Sequence, residues 1–195
     1  TTDNGGNTIK YEYYCDGKMK SSQIGESGNT RITMTYDNRR NRASIYDPNY
    51  GMVSYENDAL GNVIRIENAQ DIIKYEYDVL GRMVAKYEKN LTHNMKKTIV
   101  WEYDTSEGRN GTLAKIMTTN NHNIEYEYDD KLRLISTSEH IKDRVFKTNY
   151  TYDKANRISS LTYPSGFCVQ KKYSNTGYER EVRDAKTQAV LWKTN

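Results

Sequence analysis

A Tyr-Asp pair returns along this chain at a near-constant interval, and that interval restricts the fold more than any other feature of the sequence. Clear copies stand at Tyr36-Asp37, Tyr77-Asp78, Tyr103-Asp104, Tyr128-Asp129 and Tyr152-Asp153, with weaker ones ending at Asp16, at Asp58 and at Tyr173-Ser174-Asn175. Successive aspartates from Asp16 lie 21, 21, 20, 26, 25 and 24 residues apart, which makes about eight copies in 195 residues. A segment of that length holds one supersecondary unit. The chain is therefore read as a repeat array and as a single domain, 1–195, with copies near 9–25, 32–46, 52–67, 72–88, 98–117, 123–137, 147–163 and 168–183.

The fullest copy shows what one unit is. Apolar and polar residues alternate through Ile73-Lys74-Tyr75-Glu76-Tyr77 and through Met83-Val84-Ala85-Lys86-Tyr87, with Val84 as one soft position. Alternation at period two marks a half-buried strand. Asp78-Val79-Leu80-Gly81-Arg82 lies between them, with an aspartate suited to bond its own turn and a glycine suited to positive φ. The unit reads as a β-hairpin. Pairing Tyr77 with Met83 places Tyr75 opposite Ala85 and Ile73 opposite Tyr87, so that one face is wholly apolar. Tyr13 and Met19, Tyr128 and Leu134, and Tyr152 and Ile158 have the same separation, with Gly17 or Asn156 in the positive-φ place. Tyr36 meets Arg42 at that distance, which predicts an extra residue within Asn38–Asn41. After Asp104 the loop Thr105–Gly111 is longer and ends on a tight-turn pair, Asn110-Gly111. About sixteen short strands follow from this pattern, with no sustained helical periodicity.

Leu, Ile, Val and Phe together make up only about 17% of the chain, a level at which disorder is suspected. Eighteen tyrosines and a net charge of only +3 argue the other way, because disordered chains combine few aromatics with charge imbalance. The expected core is a thin tyrosine-rich layer. Interspersed charges without a basic cluster argue against a nucleic-acid partner, and no apolar run reaches the length of a membrane-spanning helix. The chain opens at Thr1 with no charged and then apolar leader, as expected for a piece of a longer protein. Cys15 and Cys168 are too few and too widely spaced for a disulfide framework or a metal site.

The repeat resembles the YD-repeat, or Rhs-repeat, family, whose unit runs approximately Y-x-Y-D-x-x-G-R followed by an aliphatic residue. Tyr75, Tyr77, Asp78, Gly81, Arg82 and Met83 carry that pattern, and Tyr150, Tyr152, Asp153, Asn156, Arg157 and Ile158 carry it with Asn for Gly. Tyr163-Pro164-Ser165-Gly166 matches the frequent Y-P-x-G connector. The resemblance spans roughly residues 9 to 182. It implies an all-β array of consecutive antiparallel hairpins forming one long curved sheet, a segment of the hollow shells built by bacterial Rhs proteins, toxin-complex components and teneurins. Eight copies are far fewer than a closed shell, and Asp47-Pro48-Asn49-Tyr50 shares only two letters with the family's self-cleavage motif, so no autoproteolysis is carried over.

The repeat-defining residues are Tyr36, Asp37, Tyr75, Tyr77, Asp78, Gly81, Arg82, Tyr103, Asp104, Tyr126, Tyr128, Asp129, Tyr150, Tyr152, Asp153, Asn156 and Arg157. None is assigned a catalytic role, and no cofactor or metal is expected. His93, His122 and His140 fall in separate repeats without ligand spacing. The aspartates could be imagined as a calcium ladder, but their fixed place before Gly or Asn fits turn initiation. The tyrosine ladder is read as core, or alternatively as an exposed platform for carbohydrate or cell-wall polymer. The resulting expectation is a non-enzymatic scaffold segment of a secreted or bacterial surface protein, in a toxin-delivery or cell-contact system. Its partners are the remaining repeats of its own parent chain, with edge-to-edge self-association of the isolated segment.

Overall fold

The computed structural model describes residues 2, 8–26, 28–92, 96–105 and 111–194. The chain is all-β. It divides into two compact units, Thr1–Thr98 and Ile99–Asn195. The first unit holds β1 (Ile9–Tyr13), β2 (Met19–Ile24), β3 (Ile32–Tyr36), β4 (Arg42–Asp47), β5 (Gly51–Asn57), β6 (Val63–Glu67), β7 (Asp71–Tyr77) and β8 (Met83–Asn90). A single 3-10 turn, Gly28–Thr30, precedes β3. After β9 (Lys96–Tyr103), the second unit continues through β10 (Leu113–Thr118), β11 (His122–Tyr128), β12 (Leu134–Ile141), β13 (Arg144–Tyr152), β14 (Ile158–Thr162), β15 (Cys168–Tyr173), β16 (Glu179–Asp184) and β17 (Val190–Lys193). Within each unit every strand pairs antiparallel with the next one in sequence.

One register defect recurs in the Tyr-Asp hairpin of each repeat, while the connecting hairpins β4–β5 and β12–β13 pair without it. Tyr77 pairs with Met83, but the next pair is Glu76 with Ala85, so Val84 is an inserted residue in β8. The same shift follows Tyr13, Tyr36, Asn57, Tyr103, Tyr128, Tyr152 and Tyr173 at the start of the second strand of each hairpin. A β-bulge of this kind raises the local right-handed twist and re-aims the residues beyond it.

The bulge corrects two expectations. Tyr75 faces Lys86 rather than Ala85, and Ile73 faces Glu88 rather than Tyr87, which pairs with Lys74. One face of the hairpin thus carries Tyr77, Tyr75 and Ile73 with Met83, Lys86 and Glu88, and neither face is wholly apolar. The copy at Tyr36 has gained nothing: Tyr36 pairs directly with Arg42, and Arg40 takes the positive φ, at 68°, that glycine takes elsewhere.

The mixed faces explain the thin core. Among the described residues Ala85 and Val169 are the only buried apolar side chains, and no large side chain is fully enclosed. Ser21, Ser136 and Glu181 are buried at the place in their hairpins that Ala85 fills in its own. The tyrosines of the repeat are half-buried, and the Lys86 ammonium lies 6.0 Å from the centre of the Tyr75 ring. Long polar stems therefore cover aromatic surface that a second layer would otherwise cover.

Candidate functional site: the junction between repeats

The turn comes first because it sets the rest. Asp78 N–H donates to the Arg82 carbonyl at 2.9 Å and Gly81 N–H to the Asp78 carbonyl at 3.0 Å, closing a five-residue loop. One carboxylate oxygen of Asp78 accepts the amides of Leu80 and Arg82, and the other accepts Arg82 Nε at 2.7 Å and Nη2 at 2.6 Å. Asp129 with Arg133 and Asp153 with Arg157 repeat the arrangement. In the copies at Asp37 and Asp58, Asn41 and Asn62 replace the arginine and donate through their side-chain amides. Tyr163-Pro164-Ser165-Gly166 closes with the same two backbone bonds, from Tyr163 N–H to Phe167 and from Gly166 N–H to Tyr163.

These bonds account for the carboxyl groups electrostatically. The side chain of Arg133, then its amide, hold Asp129 below the usual carboxylate range. For Asp153 the amide of Arg157 leads and its guanidinium follows. At Asp78 burial pulls the carboxyl upward, but the amide and side chain of Arg82 together outweigh it. The carboxylates of Asp37, Asp58, Asp78, Asp129 and Asp153 are thus occupied by their own loops, and among the described residues no three acidic, histidine or cysteine side chains gather in a group that could hold a metal. The turn of Asp104 closes on Thr112 and Gly111, while Asn110 and His93 lie outside the described residues.

The tyrosines join one hairpin to the one before it. Within each unit, pairing between repeats starts only at the third residue of the second strand, for example Arg65 with Lys74 and Ser136 with Asn149. The bulged first residues thus lack a ladder partner on that side, and an unpaired carbonyl there is costly unless something else reaches it. The tyrosine hydroxyl of the next repeat does so: Tyr36 donates to the Met19 carbonyl at 2.9 Å and Tyr77 to that of Val63 at 2.9 Å. In the second unit Tyr128 donates to Leu113 at 3.0 Å, Tyr152 to Leu134 at 2.7 Å and Tyr173 to Ile158 at 2.8 Å. Where the repeat has Asn57 instead, its side-chain amide donates to the Arg42 carbonyl at 3.0 Å.

The turn arginines complete the junction. Arg133 lies 4.6 Å from the centre of the Tyr152 ring and also donates to Asn156 Oδ1 at 2.8 Å. Arg157 lies 4.3 Å from the centre of the Tyr173 ring. At the first junction the Lys18 ammonium stands 4.9 Å from the Tyr36 ring. Each such contact is worth roughly 0.5–1 kcal/mol at a partly exposed site. Burial pushes the phenols of Tyr77, Tyr126, Tyr128 and Tyr152 above their ordinary range.

Not every predicted site residue takes part in a junction. Tyr126 and Tyr150 face Thr137 and Leu161 in the middle of their hairpins, whereas Tyr103, opposite Leu113, holds the same place in its hairpin as the junction tyrosines Tyr77 and Tyr128 hold in theirs. His122 bonds Glu139 at 2.5 Å and His140 stands 3.4 Å from Glu125. Cys15 and Cys168 are free thiols. Sequence reasoning missed Asn41, Asn57, Asn62 and Arg133. Their signal was a side-chain amide or guanidinium donor four residues after Asp37, Asp58 and Asp129, and, at Asn57, an amide in the tyrosine place.

These bonds define a class: a repeat protein of bulged antiparallel hairpins, latched to one another by a side-chain donor on a backbone carbonyl. Solved structures of the same fold exist. The chain superposes on the crystal structure of TcdB2-TccC3 without hypervariable C-terminal region with a TM-score of 0.80, at 16% identity over 99% of this chain. It superposes on that of TcdB2-TccC3-Cdc42 with a TM-score of 0.79, at 16% identity over 97% of this chain. In both cases it spans 11% of the other chain. No family profile matches the sequence, and no curated protein matches it. The likeness to the TcdB2-TccC3 structures is one of fold.

Proposed function

We propose that this chain is a structural segment of a YD-repeat β-shell in a larger secreted or surface protein, serving a toxin-delivery or cell-contact system without chemistry of its own. The observation that carries the reading is the agreement over nearly the whole chain with TcdB2-TccC3, whose own chains are far longer. The junctions support it, because the repeat-defining side chains with resolved bonds are spent on holding hairpin to hairpin rather than converging on a cleft. A carbohydrate platform would need open aromatic rows, whereas the ladder tyrosines are half-buried and the most exposed tyrosines, Tyr50 at 84% and Tyr178 at 77%, sit in separate turns.

The partner in this reading is the remainder of the parent chain. Excised from it, the segment self-associates through strand edges. The test is electron microscopy of the full-length parent carrying a small tag between Val79 and Leu80, which are 97% and 73% exposed. The expected image is a hollow particle with the tag on its wall. A parent without a cavity, or a tag on a detached appendage, would retire the proposal.

A further inference from the structure

The latch between repeats obeys a register rule. The donor always lies three residues beyond the partner of the third residue in the preceding second strand. Arg65 pairs with Lys74, and Tyr77 reaches Val63. Ser136 pairs with Asn149, and Tyr152 reaches Leu134. Ser44 pairs with Ser54, and Asn57 reaches Arg42. In the final hairpin Glu181 pairs with Lys193, and Thr194 N–H donates to the Arg180 carbonyl at 3.0 Å. Three residues beyond Lys193 is the position directly after Asn195, and the carbonyl it would reach is that of Glu179.

A groove is built at that place. It measures about 410 Å³ and is lined by Ser174, Thr176, Tyr178, Glu179, Arg180 and Thr194. Its counterpart at the β6–β7 junction, about 570 Å³, has Asp58, Ile64 and Tyr75 where this one has Ser174, Arg180 and Thr194, and there Tyr77 forms part of the wall. The last turn has the geometry of the others, with Ser174 N–H bonded to Tyr178 at 2.8 Å and Gly177 N–H to Ser174 at 3.0 Å. Tyr178 stands four residues after Ser174, where Arg133 and Arg157 stand relative to their aspartates, and those two lie over the tyrosine ring of the following repeat. Tyr178 itself is 77% exposed.

We propose that this groove is a socket for a phenol side chain, and that its occupant is the tyrosine of a ninth repeat whose first strand is β17. The socket deepens the shell-segment reading and rests on it for the presence of that repeat. The hydroxyl donates to the Glu179 carbonyl, and the ring packs against Tyr178 as an aromatic pair. β17 is thus the opening strand of a hairpin, held in register to receive the next turn.

The test appends to Asn195 the twelve residues that run from Tyr77 to Glu88 in this chain, so that a hairpin can close. Three forms carry Tyr, Phe or Ala as the first appended residue. The Tyr form is expected to melt about 2–4 °C above the Ala form, with Phe between them. Tyr178→Ala is expected to remove part of that gain while leaving the unextended chain unchanged, because the two effects couple only through contact. Equal melting of all three forms would overturn the socket, as would an equal effect of Tyr178→Ala in each. Should the extension not fold, 4-methylphenol titrated into the 195-residue chain gives a second readout by amide chemical shifts. Shifts confined to Thr176, Tyr178 and Arg180 support the socket, and shifts spread evenly or absent reject it. A hollow parent seen together with equal melting retires the socket alone, whereas a Tyr-specific gain in a parent without a cavity retires the shell alone.

Discussion

Tyrosine at the end of each first strand combines two functions that no other side chain offers together. Its ring covers apolar surface on a sheet with almost no enclosed core, and its hydroxyl reaches a carbonyl that the bulge has removed from the ladder. Phenylalanine would keep only the first of these. Tyr152→Phe is therefore expected to lower stability by about 1 kcal/mol, or about 2–4 °C in melting temperature for a chain of this size. Tyr50→Phe, at a side chain 84% exposed, is expected to leave the melt unchanged. Thermal unfolding of the two variants beside the parent sequence checks this, and identical curves for all three would show that the hydroxyl contributes nothing to the junction. Asn57 shows that the junction needs a donor rather than a phenol as such, since its amide reaches the Arg42 carbonyl in the same place.

At the scale of the hairpin, the turn is more uniform than its sequence. The fourth loop residue takes positive φ in each copy of the five-residue loop, at 76° for Gly81, 89° for Gly61, 61° for Asn156, 68° for Arg40 and 59° for Leu132. A left-handed conformation costs an ordinary side chain roughly 1–2 kcal/mol, so Arg40 and Leu132 are held there by the loop bonds around them. Leu132→Gly is expected to stabilise the protein by about 1 kcal/mol in urea denaturation, because Leu132 is 46% exposed and has little packing to lose. Gly81→Ala should destabilise by a similar amount through backbone strain alone, since nothing lies within 4 Å of an added Cβ. A loss of stability in Leu132→Gly would mean that its side chain, not its backbone, sets that turn.

Across the whole molecule the turn aspartates act as one titrating set. Asp37, Asp58, Asp78, Asp129, Asp153 and Asp184 are all held below the ordinary carboxylate range. A depressed folded value means that the unfolded chain takes up protons first as pH falls. The stabilisation is complete above the unfolded range near pH 4 and is lost as pH drops through the folded values. Melting temperature is expected to stay level from pH 7 to about 5 and to fall steeply below about 4. A melt at pH 3 matching that at pH 7 would show that the loop bonds do not favour the charged carboxylates.

How much of this could be read in advance depends on the range over which each feature acts. The strands, the turn positions and the pairing of Tyr77 with Met83 follow from residues close together in the chain, through period-two alternation and the backbone needs of Asp and Gly. The register beyond that pair does not. Val84 broke the alternation by one place, but a single soft position carries too little signal to announce a bulge, which becomes visible only when both strands lie side by side. The junctions lie further still from local reading, because the acceptor is a backbone carbonyl some fifteen residues away, such as Val63 for Tyr77, and every residue has a carbonyl. The local sequence could therefore determine that tyrosine recurs and where, while only the tertiary structure could decide that its hydroxyl replaces a bond the bulge had taken from the ladder.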